Sequence, residues 1–145
     1  MDKKQLFNQF VAFTTAVHQV THELTQNVKI DQITPVQYKI LEYITVSQPV
    51  TPTEISDCQH MSLPNTSREL RKLQERKFIK KISDTEDRRK HYVCLTEDGE
   101  KIMGEAFACI EERFQQLIQH ASKEDIEDIH HALNVLNDKV FNPKS

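Results

Sequence analysis

Tryptophan is absent from this chain of 145 residues, and glycine occurs only twice. A glycine inside a helix costs about 1 kcal/mol relative to alanine. Its scarcity, beside many Glu, Gln, Lys and Leu residues, therefore points to a mostly helical protein. There is no glycine-rich loop to cradle phosphates and no recognisable nucleophile motif. Ser, His and Asp are present without the spacing of a triad, so an enzyme is a poor reading. Cysteine is sparse as well: Cys58, Cys94 and Cys109 are an odd number without metal-like or disulfide-like spacing, which argues against a disulfide framework. Free cysteines are as a rule buried and inert, and that is the expectation here. No apolar run approaches the ~18 residues of a membrane span. Met1-Asp2-Lys3-Lys4 leads into an amphipathic pattern and not into a signal-peptide core, so a cytoplasmic protein without a membrane partner is expected.

Positive charge is in deficit overall, with a net charge of −3. Its distribution reverses the first impression. Between Ser62 and His91 ten Lys or Arg residues stand against five acids, a local +5 that leaves −8 on the rest. An acidic protein with one such segment presents a single cationic surface, the electrostatic footprint of a nucleic-acid binder.

The apolar pattern divides the chain into helices. Leu6, Phe10, Phe13, Val17, Val20 and Leu24 are spaced four and three apart, a seam that needs a partner helix. Thr34-Pro35-Val36-Gln37 and Thr51-Pro52-Thr53-Glu54 each place Thr at the N-cap, Pro at the first helical position and Gln or Glu three residues after the cap. The first of these helices carries Val36, Ile40, Leu41 and Ile44 on one side and ends near Ser47, with Gln48-Pro49-Val50 as the turn. The second is short, anchored by Ile55, and ends near Gln59. Ser62 opens a third, with Thr66, Leu70 and Leu73 facing inward and Asn65, Ser67, Arg68, Arg71 and Lys72 on the other face. Short helices joined by tight turns and followed by a polar-faced helix outline a helix-turn-helix. Phe78–Ile82 and His91–Leu95 read as two short strands. The polar Ser83–Lys90 between them forms the tip of a hairpin wing. Thr96-Glu97-Asp98 caps a long helix with the stripe Met103, Phe107, Ile110, Phe114 and Leu117. Ser122 opens a last helix with Ile126, Ile129, Leu133, Leu136 and Val140.

The order of elements, with Asp84-Thr85-Glu86-Asp87-Arg88-Arg89 at the tip and Leu95-Thr96-Glu97-Asp98-Gly99 after the second strand, resembles the MarR (multiple antibiotic resistance regulator) family over nearly the whole chain. Thr34-Pro35-Val36-Gln37-Tyr38 and Ser62-Leu63-Pro64-Asn65-Thr66-Ser67-Arg68 resemble that family's second and recognition helices. Glu86 departs from the family pattern by replacing the first Arg of the tip, and Lys77 stands where the family often ends the recognition helix with Gly, so the usual glycine cap is not expected. The resemblance implies a mainly α fold with a small β-hairpin wing: a winged helix-turn-helix at 34–95, a dimerisation helix at 5–29 and dimerisation helices at 96–141.

Asn65, Ser67 and Arg68, near the start of the recognition helix, are expected to face the major groove, and Ser62 at its start is expected among the DNA-binding residues. Arg pairs with guanine O6 and N7, and Asn with adenine. Arg71 and Lys72, about a turn further on, are expected at phosphates. For the wing, the resemblance implies that Arg89 enters the minor groove, oriented by an ion pair with Asp87. Arg88 and Lys90 then neutralise phosphates. One short helix reads few base pairs, so a homodimer on inverted-repeat double-stranded DNA is expected. Repression, and modulation by a small aromatic ligand, are what the resemblance implies about regulation. Cys94, at the base of the wing, offers a weak redox route. His18 and His22, four apart, with His130 and His131, form a pattern common by chance; they are read as surface or interface histidines, without a metal or cofactor. The competing reading is a helical protein-binding adaptor whose basic segment is merely solvated.

Overall fold

The computed structural model describes residues 1–28, 30 and 33–143. Its elements are α1 (Lys3–Thr25), α2 (Pro35–Ser47), α3 (Pro52–Gln59), α4 (Leu63–Glu75), β1 (Ile79–Ser83), β2 (His91–Leu95), α5 (Glu97–Leu117) and α6 (Lys123–Leu136). A π-helical turn, Asn137–Phe141, follows α6. α1 ends before the expected limit, and Lys29 lies outside the described residues. β1 begins one residue later than expected, because the Phe78 N–H is used to close the end of α4.

The helices begin where side chains satisfy their orphan backbone donors. Asp2, Thr34, Thr51 and Ser122 form reciprocal capping boxes with Gln5, Gln37, Glu54 and Asp125. The Ser62 hydroxyl accepts from the Asn65 N–H at 3.2 Å to start α4. Each cap contributes about 1 kcal/mol.

The chain forms two compact units, residues 1–111 and 112–145. The first holds a core of Ile40, Leu41, Ile44, Val50, Ile55, Leu70, Leu73, Ile79, Val93, Leu95 and Met103. It unites α2, α3, α4, the hairpin and the first turns of α5. β1 and β2 pair antiparallel from Ile79 opposite Leu95 to Ser83 opposite His91. The segment expected to be only a turn also joins this sheet: Val50 and Val93 exchange backbone hydrogen bonds of 3.1 and 2.6 Å. Beside it, the Gln48 side-chain oxygen accepts from the Leu95 N–H at 2.8 Å.

Two expectations need correction. Val36 is 45% exposed and lies outside the core; the buried residue in that first turn is Gln37. Cys58 on α3 and Cys109 on α5 are exposed, turned away from the core, and Cys94 on β2 is only half-buried.

The end of α4 keeps glycine-type geometry without glycine. Lys77 adopts φ 64°. Its N–H donates to the Gln74 carbonyl at 2.9 Å, and the Phe78 N–H donates to the Leu73 carbonyl at 3.1 Å. This is a complete Schellman cap. A side chain in left-handed backbone is strained by about 1 kcal/mol. Lys77→Gly is therefore expected to stabilise the fold by about 0.5–1 kcal/mol, read as a higher urea midpoint at unchanged m. A lower midpoint would mean that Lys77 makes a compensating contact.

Both units leave apolar side chains in water. In the first, α1 exposes Leu6, Phe7, Val11, Phe13 and Val17; in the second, Ile126, Ile129, Leu133 and Val140 are exposed. Among the described residues no helix is long and apolar enough to cross a membrane.

Candidate nucleic-acid interface

The amphipathic pattern of α4 is realised as expected. Thr66, Leu70 and Leu73 are buried, and Asn65, Ser67, Arg68, Arg71 and Lys72 are exposed. Thr66 tolerates burial because its hydroxyl donates to the Ser62 carbonyl at 2.9 Å. Ser62 itself is committed to the cap, and Lys72 lies 3.6 Å from Glu69.

The wing tip is shaped by its aspartates. The Asp84 carboxylate accepts from the Glu86 N–H at 2.9 Å, and that of Asp87 accepts from the Arg89 N–H at 3.0 Å. Asp84 N–H to Lys90 carbonyl (2.9 Å) and Lys90 N–H to Asp87 carbonyl (3.0 Å) close the turn. The Asp87 carboxylate also lies 3.7 Å from the Arg89 guanidinium, whose side chain is 95% exposed. An ion pair this open contributes about 0–1 kcal/mol, too little to hold the wing together. The Lys90 ammonium sits 5.6 Å from the Tyr92 ring centroid. A hydrogen bond to Tyr92, then the nearby charges, raise its pKa above the ordinary lysine value.

Tertiary structure brings part of the expected set together. Ser67 of α4 and Arg89 and Lys90 of the wing line one notch of about 440 Å³. Asn65, Arg68, Arg71, Lys72 and Arg88 do not line it. Thr53, Leu63 and His91 also line the notch, and sequence reading missed all three. Thr53 reads as a helix-start residue and His91 as a strand residue, and Leu63 carries no functional mark in the sequence; only their proximity in space marks them.

A second cavity, of about 550 Å³, lies where α1 and the following segment meet the start of α2, with Thr25, Ile30, Thr34, Tyr38 and Glu42 among its walls. The Tyr38 hydroxyl is buried there without a well-aligned hydrogen-bond partner. Burial first, then the Glu42 carboxylate beside it, push its pKa up to about 12.

The Leu95–Gly99 motif joins the wing to α5. The Thr96 hydroxyl donates to the Lys77 carbonyl at 2.6 Å and accepts from the Gly99 N–H at 3.0 Å. The Thr96 N–H donates to the Phe78 carbonyl at 3.0 Å. A Cβ on Gly99 would overlap that same Phe78 carbonyl oxygen.

A helix-turn-helix whose third helix is followed by a hairpin, both carrying exposed cations on the same unit, defines the winged helix-turn-helix class. Residues 31–90 match the model of the MarR family. It is 28% identical over 95 residues to the HTH-type transcriptional regulator TcaR of Staphylococcus aureus (strain Newman), a match covering 64% of this chain and 63% of TcaR's own length. Among solved structures, it is similar to a MarR family protein from Bacillus stearothermophilus, with TM-score 0.76 and 15% identity over 98% of this chain and 99% of that one. It is also similar to a mutant MarR from E. coli complexed with operator DNA, with TM-score 0.57 and 21% identity over 92% and 99% of the two chains. These structural likenesses concern the fold.

Proposed function

We propose that the protein is a cytoplasmic transcriptional regulator that binds an inverted-repeat operator as a homodimer and represses by occupying it. The observation that carries this reading is the shared notch of Ser67, Arg89 and Lys90, which sets a groove-reading helix beside a cationic wing. Asn65, Ser67 and Arg68 contact base edges, and Arg71, Lys72, Arg88 and Lys90 contact phosphates. Arg89, aimed by Asp87, enters the minor groove, where negative potential is concentrated. The operator DNA bound by E. coli MarR supports the same use of the fold. The exposed apolar rows of α1 and α6 support dimerisation, since covering the exposed half of each such side chain contributes about 1 kcal/mol. A two-fold pair sets two recognition helices about one DNA turn apart. The cavity beside Tyr38 has a volume within the ~300–1,000 Å³ usual for ligand pockets, which supports modulation by a small aromatic ligand.

The test is binding to DNA flanking the coding gene as a function of salt. Affinity is expected to fall by about a thousandfold or more between about 50 and 200 mM salt. No binding at the lower salt, by wild type and Arg89→Ala alike, would leave the helical adaptor as the better reading.

A further inference from the structure

Gln37 is the buried polar residue at the start of α2, 7% exposed, and both ends of its amide are used. The oxygen accepts from the Thr34 N–H at 3.2 Å, completing the cap. The nitrogen donates to the Glu69 carboxylate on α4 at 3.0 Å. An ionised carboxylate only accepts, so the amide is oriented in one way. The other oxygen of Glu69 lies 3.6 Å from Lys72, and its side chain is 20% exposed against 54% for Lys72. A carboxylate on a helix that meets phosphates opposes binding unless it is turned inward.

We propose that Gln37 and Glu69 are a positioning pair for DNA recognition: the bridge fixes the rotation of α4 on α2, holds the Glu69 charge away from the DNA and aims Lys72 and Arg68 at it. This rests on the DNA-binding reading and adds the residues that set the pose of the reading helix. Neither residue touches DNA in this arrangement; both act through Arg68 and Lys72.

The pair makes a prediction opposite in sign to simple electrostatics. Glu69→Ala removes a negative charge from the DNA-facing helix, which alone would tighten binding. Loss of the bridge is expected instead to weaken binding about tenfold. Glu69→Gln removes the same charge and keeps an oxygen acceptor, so it is expected to bind at least as tightly as wild type. The probe is a duplex selected by the wild-type protein from a random-sequence pool, with folding of each variant checked by circular dichroism. Tighter binding by Glu69→Ala, or equal weakening by Glu69→Gln, overturns the proposal.

A second set guards against misfolding of Glu69→Ala. Gln37→Glu keeps the capping box but opposes two carboxylates, and is expected to bind weakly. Adding Glu69→Gln restores a donor–acceptor pair and is expected to restore affinity. Adding Glu75→Gln gives the same net charge without the pair and is expected to leave binding weak. Equal recovery by both double variants would show that charge alone decides. If wild type selects no duplex, the DNA-binding reading falls, and this inference with it. If wild type binds and the variants do not follow this order, the pair alone fails.

Discussion

Alanine at Arg68 is expected to flatten the base preference of the protein, whereas alanine at Arg89 is expected to weaken binding on every sequence. Both side chains are exposed, but their settings differ. Arg68 stands on the rigid α4 within two turns of its N-terminus. A bidentate Arg–guanine contact there discriminates against other bases by about 1–3 kcal/mol. Arg89 stands on a hairpin tip whose conformation is set by Asp84 and Asp87, and in the proposed complex it meets groove potential, not a base pattern. Measured across a panel of single-base operator variants, Arg68→Ala should bind them with nearly equal affinity. Arg89→Ala should keep the wild-type ranking while all affinities drop by about tenfold to a hundredfold. Identical losses on every site from both variants would refute the division into base and groove readers. Asp87→Ala should follow Arg89→Ala more weakly, because an exposed pair fixes direction with little energy.

Gly99→Ala is expected to destabilise the fold by about 3 kcal/mol. The added methyl meets the Phe78 backbone carbonyl, which cannot swing aside as a flexible side chain would. That carbonyl also accepts from the Thr96 N–H, so relieving the overlap breaks the join between wing and α5. Urea denaturation followed by helical circular dichroism measures the loss. The variant should also bind DNA more weakly at temperatures where it is still folded, since the wing is displaced. A loss below about 0.5 kcal/mol would mean that α5 shifts freely and that Gly99 is not a point of close approach.

Much of the fold was legible because its determinants are local. The Thr-Pro caps at Thr34 and Thr51 and the alternation of Thr66, Leu70 and Leu73 with charged residues are read within one or two turns. So is the break in helical period before the wing. Errors arose where a residue's environment is supplied by distant chain. Val36 fits an apolar stripe, yet α2 turns it outward and buries Gln37, whose amide has a partner on α4. Cys58 and Cys109 follow general cysteine behaviour only if the core reaches them, and it does not. At the candidate interface, charge marked Arg68, Arg71, Lys72, Arg88, Arg89 and Lys90. Thr53, Leu63 and His91 carry no such mark and join the notch only through the packing of α3, α4 and the wing.

The wing shows the division most clearly. By itself the sequence determined that a cationic hairpin follows a polar-faced helix, because strand propensity, turn aspartates and charge are properties of neighbouring residues. Tertiary structure decided what that hairpin rests on: Val50 pairs with Val93, Gln48 holds Leu95, and Thr96 clasps Lys77. Those bonds join residues 19 to 47 positions apart. Such a bond forms only when the whole core has closed, so no local pattern announces it.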